Sequence, residues 1–218
     1  MHMNYTEIQF PELQLKTRDA HKLRGYFGNL FKEHSPLLHN HLASGEQAYR
    51  YPMVQYKVLK GTPVLIGLDK GARLLVDLFL KIKELNIDGE IFPVNHKNIG
   101  GKKVELSVDN DLHEYKFQTL WMPLNQLNHG KYINAGDSEK KDLLKNILTG
   151  NILSFYKSFD YRVEKQIMVK TNLKERTTKF KNNTMFAFEG AFITNAILPD
   201  HVGIGKAVSR GFGTIKKR

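Results

Sequence analysis

Apolar and polar residues follow two periods along this chain, and their order of appearance repeats. Residues 5 to 15 alternate at Ile8 and Phe10 and again at Leu13 and Leu15, which predicts a strand. Pro11 within it marks a sheet edge or a bulge. Thr17 or Asp19 then caps a predicted helix that runs to about Glu33, with Ala20, Leu23, Phe27, Leu30 and Phe31 on its apolar face. Val54, Tyr56 and Val58 alternate with Gln55 and Lys57, Lys60-Gly61 forms a turn, and Val64 to Ile66 completes a hairpin. Asp69 caps a second helix whose stripe is Leu74, Leu75, Leu78, Phe79, Ile82 and Leu85. Further strands are expected at Ile91 to Val94 and Val104 to Val108, around a Gly100-Gly101 turn. Strand, helix, strand, strand, helix, strand is the order of a ferredoxin-like unit.

The pattern then starts again. Tyr115, Phe117, Thr119 and Trp121 predict a strand, and Ser138 to Tyr156 a helix with Leu143, Leu144, Ile147, Leu148, Ile152 and Phe155 in its stripe. Val163 to Lys170 reads as a strand, Thr177 to Phe188 as a hairpin turning at Asn182-Asn183, and Phe192 to Leu198 as a last strand. The fold class expected is therefore α+β, with tandem ferredoxin-like (RAMP/RRM-like) domains over residues 1–112 and 113–218. The second domain has its second helix shortened or missing.

Composition narrows the partner. The 218 residues are 41% hydrophobic, enough for a packed core, and 33 Lys+Arg against 22 Asp+Glu give a net charge of +11. Residues 162–218 hold twelve of the cations and four of the acids, so most of the excess lies in the last quarter, as expected for a protein that binds a polyanion. With no cysteine, disulfides, thiol catalysis and Cys-zinc sites are excluded. No apolar run approaches the roughly 20 residues that span a bilayer and no apolar signal core opens the chain, so a cytoplasmic protein without a membrane partner is expected.

That basic quarter ends in a glycine-rich stretch. Gly203-Ile204-Gly205, the five residues from Lys206 to Arg210, and Gly211-Phe212-Gly213 bracket two cations with four glycines. Consecutive N–H groups in such a loop form an anion site. It is not a Walker A loop, because Asp200 stands where a glycine is needed and Ala207 where magnesium needs Ser or Thr. Nor is it a dinucleotide loop, because Val208 replaces the third glycine and no long helix follows. A glycine-rich hairpin without a ligand is the plain alternative.

The candidate chemistry lies earlier, in Lys32, His39, His41, Glu46, Tyr49 and Tyr51. His39 and His41 share a face if their segment is extended. Two imidazoles on one face can act as base and acid near neutral pH. In metal-free RNA cleavage the base takes the ribose 2′-hydroxyl proton and the acid protonates the leaving 5′-oxygen, while a cation such as Lys32 steadies the phosphorane. The alternatives are a polar loop with two exposed histidines, or a metal site built from His39, His41 and Glu46, which still lacks a fourth ligand. The solitary His96, His113, His129 and His201 are assigned no role.

In these features the sequence resembles the CRISPR-associated endoribonucleases of the sixth Cas family, within the RAMP superfamily. Residues 203–213 match that family's glycine loop at every position, and His39 and His41 are similar in place to the His-x-His pair of its subtype I-B-like members. The resemblance implies a metal-independent endoribonuclease, without cofactor, that processes CRISPR repeat RNA and leaves a 2′,3′-cyclic phosphate and a 5′-hydroxyl. It implies catalysis by His39, His41, Lys32 and Tyr49, and RNA binding by Gly203, Gly205, Lys206, Arg210, Gly211 and Gly213. Lys174, Arg176, Lys179 and Lys181 would grip RNA from the second-half hairpin. An effector complex is a further candidate partner, a monomer and a homodimer both stay open, and the competing reading is a non-catalytic RNA-binding RAMP subunit of such a complex.

Overall fold

Residues 1–30, 51–180 and 183–218 are described by the structure, a computed structural model. They form two units. The N-terminal unit is His2–Val104 together with Val208–Gly211, and the C-terminal unit is Met1, Glu105–Ala207 and Phe212–Arg218.

In the N-terminal unit the order is β1 (His2–Gln9), a 3-10 turn at Thr17–Asp19, α1 (Ala20–Leu30), β2 (Val54–Leu59), β3 (Thr62–Leu68), α2 (Lys70–Phe79), β4 (Glu84–Ile87), β5 (Glu90–Pro93) and β6 (Asn98–Glu105). The sheet runs β2-β3-β1-β6, so the first strand lies between the third and the last, as in a ferredoxin-like unit. The β4–β5 hairpin is an insertion ahead of the last strand. Ile8, Phe10, Leu23, Phe27, Tyr56, Leu65 and Leu75 meet in the core, with the Phe27 ring stacked between Phe10 and Tyr56 at 6.3 and 5.8 Å.

Three expectations for this half need correction. β1 starts and ends earlier than the alternation indicates, because Pro11 cannot donate to a ladder. Phe10 and Leu13 still reach the core from the connection that follows, tied by Phe10 N to Pro63 O at 3.1 Å and Leu15 N to Gly61 O at 2.8 Å. Asp69 does precede α2, but its side chain makes no capping hydrogen bond, and the helix stops at Phe79 although Ile82 and Leu85 beyond it are buried. Gly100-Gly101 is not a turn but lies inside β6; the reversal falls at Asp88-Gly89, where φ is 57° and 89°. Asp-Gly is the pair that a two-residue hairpin turn favours.

The C-terminal unit contains β7 (Ser107–Phe117), α3 (Gln126–Asn134), α4 (Asp137–Lys157), β8 (Val169–Phe180), β9 (Asn183–Ile197) and β10 (Ile215–Lys217). Its sheet runs β10-β7-β9-β8 with all neighbours antiparallel, which repeats the strand order of the first unit. Where a second helix would stand, between β9 and β10, the only helical residues are a 3-10 turn at Val208–Arg210. The missing second helix is thus confirmed.

α3 and β10 escaped the sequence reading, since α3 has only one buried residue, Tyr132, and β10 is three residues long. The strands expected at 177–188 and 192–198 are parts of one β8–β9 ladder, in register from Val169↔Thr194 to Phe180↔Asn183. Residues 163–168 are not a strand; in place of ladder bonds at two of these positions, Asn195 Oδ1 accepts from Met168 N at 2.8 Å and Asn195 Nδ2 donates to Gln166 O at 3.1 Å. An aromatic core of Tyr115, Phe117, Trp121, Phe188 and Phe192 fills one face of the sheet.

Candidate nucleic-acid interface

The glycine loop is a closed structure, not a slack one. Its arms are zipped by Ile204 N to Gly213 O at 2.8 Å and Ile215 N to Val202 O at 3.0 Å, and Gly203 bridges Thr214. Val202 and Ile204 are fully buried and anchor one arm in the C-terminal core. Gly205 has φ 97°, and a Cβ there would fall 2.5 Å from Trp121 Nε1, whose N–H donates to Asn151 Oδ1 at 3.2 Å. Glycine at 205 is therefore required by the indole beside it as much as by any ligand.

The middle of the loop belongs to the N-terminal unit. Residues Val208–Gly211 pack against α1 and along β2, the edge strand of that sheet, and a Cβ on Gly211 (φ 90°) would lie 2.7 Å from Ala20 Cβ. This contact covers a strand edge that would otherwise expose unpaired backbone groups. It also brings two like charges together: burial and the nearby Arg24 cation both pull Arg210 below its ordinary range. Arg24, on α1, is a candidate phosphate ligand that no linear pattern reveals, because it and Arg210 are neighbours only in the folded unit. Lys206 is exposed.

Lys57, on the same edge strand β2, is fully buried, and its Nζ has no hydrogen-bond partner among the described residues. Burial pulls its ammonium down to about 7, a shift that the Glu7 carboxylate only partly offsets. The alternation of residues 54–58 instead predicts Lys57 as a polar position between buried neighbours.

The hairpin cations do not form one surface. Side chains alternate across a strand, so Lys174 and Arg176 lie on one face of β8 and Lys179 on the other, while Lys181 lies outside the described residues. Arg176 is engaged with Glu189 at 2.5 Å. Toward the hairpin tip Phe180 meets Phe212 of the glycine loop edge-on, with centroids 6.0 Å apart, so the Lys174 face runs up to the loop.

Lys32, His39, His41, Glu46 and Tyr49 lie outside the described residues. Tyr51 is described, and its hydroxyl accepts from Gln55 Nε2 at 2.7 Å. Of the solitary histidines, His113 pairs with Asp109 at 3.0 Å, His96 with Glu12, and His129 packs beside Phe186.

Two ferredoxin-like units in tandem, the second with a cation-bearing glycine loop in place of its last helix, define a RAMP-type protein. Sequence models of the Cas6b N-terminal domain and the Cas6b C-terminal domain match residues 1–105 and 107–218, and the chain belongs to the Cas6b family. Over the full length of both chains it is similar to a crystal structure of Cas6b, at 36% identity and a TM-score of 0.96. It is likewise similar to a crystal structure of the CRISPR RNA processing endoribonuclease Cas6b, at 33% identity and 0.82, again over all of both chains. An uncharacterized protein of Methanocaldococcus jannaschii is 38% identical over 142 residues, which is 64% of this chain and 95% of that protein.

Proposed function

We propose that this protein is an endoribonuclease that cuts CRISPR repeat RNA by a metal-independent route. The observation that carries the proposal is the likeness of the whole chain to a CRISPR RNA processing endoribonuclease. The glycine loop adds physical support: its central turn, bearing Arg210, packs on α1, the helix that leads into the segment with Lys32, His39 and His41.

In this reading His41 removes the 2′-hydroxyl proton of the ribose before the scissile linkage. The 2′-oxygen attacks the adjacent phosphorus and the P–O5′ bond breaks. His39 gives its proton to the leaving 5′-oxygen, so the products are a 2′,3′-cyclic phosphate and a 5′-hydroxyl. Lys32 balances charge on the phosphorane, and Tyr49 completes the set. No protein nucleophile is required, which suits a chain without cysteine. Lys206 and Arg210, with Arg24, hold flanking phosphates.

Single-turnover cleavage of repeat RNA in excess EDTA tests the route. Full activity and a cyclic-phosphate end are expected, and His39→Ala with His41→Ala should slow cleavage by about 10²–10⁴-fold with little loss of binding. Activity abolished by chelator and restored by magnesium rejects it. A parent protein that binds repeat RNA and never cuts it supports the non-catalytic subunit instead.

A further inference from the structure

The sheet of the C-terminal unit has one face against α4 and its aromatic core, and on the other a set of cations that the loop and the hairpin do not account for. Cross-strand partners share a face, so the register places Lys216 of β10, Lys116 of β7, Ala191 of β9 and Asn172 of β8 in one row. The next row carries Glu114, Ile193 and Lys170. Among the described residues, the two carboxylates that the register places on this face are taken, Glu114 by Arg218 and Glu189 by Arg176, each at 2.5 Å. Lys116, Lys170 and Lys216 are exposed, and among the described residues none of them pairs with a carboxylate.

Lys116 and Lys216 stand directly opposite each other on hydrogen-bonded neighbouring strands. Like charges at that separation destabilise a sheet. Lysines on an edge strand discourage pairing with other chains, and Lys216 and Lys217 on β10 suffice for that. The duty does not extend to Lys116, which sits on an interior strand. A polyanion laid across the strands would turn the repulsion into attraction.

Building on the endoribonuclease reading, we propose that this open face is a second RNA-binding surface, which takes the sugar–phosphate backbone of a single strand outside the cleavage site. From β10 to β8 is three strand spacings, about 14 Å, a stretch of several nucleotides. The surface is continuous with the glycine loop at two places: Lys216 follows Gly213 by three residues, and Phe180 of the hairpin touches Phe212. A strand leaving the loop would therefore meet Lys116 and Lys216 first and Lys170 beyond them. Small side chains at Ala191 and Asn172 leave the backbone room to lie flat.

The test uses two non-cleavable RNAs with a 2′-deoxy scissile ribose, one the full repeat and one trimmed to a few nucleotides around the cut. Binding is followed by fluorescence anisotropy over a range of salt. The triple variant Lys116→Gln, Lys170→Gln, Lys216→Gln should bind the full repeat about tenfold more weakly and the trimmed RNA as the parent does. The salt dependence for the full repeat should flatten by about 0.7 in log–log slope per lysine removed. Its single-turnover rate at saturating protein should be unchanged, and its melting temperature equal or higher. The triple Lys→Arg variant should keep parental affinity. A folded triple Gln variant with parental affinity and slope, or one that loses both RNAs equally, overturns the proposal. Lys206→Gln with Arg210→Gln is the companion: it should weaken both RNAs, and if it weakens neither, the reading of the glycine loop has failed, not this surface alone.

Discussion

Lys57 sets burial against charge. A lysine whose folded value is about 7, against an ordinary 10.5, gives up its proton on folding at any pH between the two. The unfolded chain then binds more protons than the folded one, so stability rises with pH across that window. Below pH 7 both states are protonated and the full cost of burying the ammonium is present. Lys57→Met keeps the length of the side chain and removes the charge, so it should raise the melting temperature at pH 6 and show a smaller gain at pH 10. Urea denaturation of parent and variant at both pH values checks this; equal stabilisation at the two shows that the ammonium is not the cause. The alternation that predicts β2 was readable, but it gives Lys57 a solvated face, and a period-two pattern carries no information about whether that face is covered.

Among the elements, the glycine loop shows how a motif legible in sequence can have a physical basis that is not. Its spacing suggested backbone opened for a phosphate, whereas Gly205 and Gly211 sit where Trp121 and Ala20 leave no room for a Cβ. Gly205→Ala must both clash with the indole and hold φ near 97°, and should lose about 2 kcal/mol or more. Gly100→Ala, in β6, meets nothing within 4 Å and should change stability by no more than about 0.5 kcal/mol. Denaturant midpoints with unchanged slopes distinguish the two; similar losses at both sites remove the packing explanation. The hairpin teaches a related lesson. Lys174, Arg176 and Lys179 are close in sequence, yet the strand period divides them between two faces.

For the whole molecule, the net charge of +11 and its concentration near the C-terminus set the expectation for binding. Affinity for repeat RNA should fall steeply with salt, and replacing Lys206 and Arg210 should reduce the slope by about 1.4 for a single strand. A slope unchanged in that double variant means that these two side chains do not neutralise phosphates. The two ferredoxin-like units were foreseen from the repeated order of elements, because each amphipathic segment must bury its apolar stripe. The β4–β5 insertion, α3 and β10 were not, since a short exposed element leaves too few periodic positions to register.

The sequence by itself determined the periodicities, the glycine–cation spacing, the paired histidines and the excess of positive charge, all of which are local or additive properties of the chain. Only the tertiary structure decided which residues are neighbours. It put Arg24 beside Arg210, Trp121 against Gly205, Lys116 across from Lys216, and Lys57 out of reach of water. Each of those depends on strand register and on where distant segments pack, and a linear pattern specifies neither until the core has closed around it.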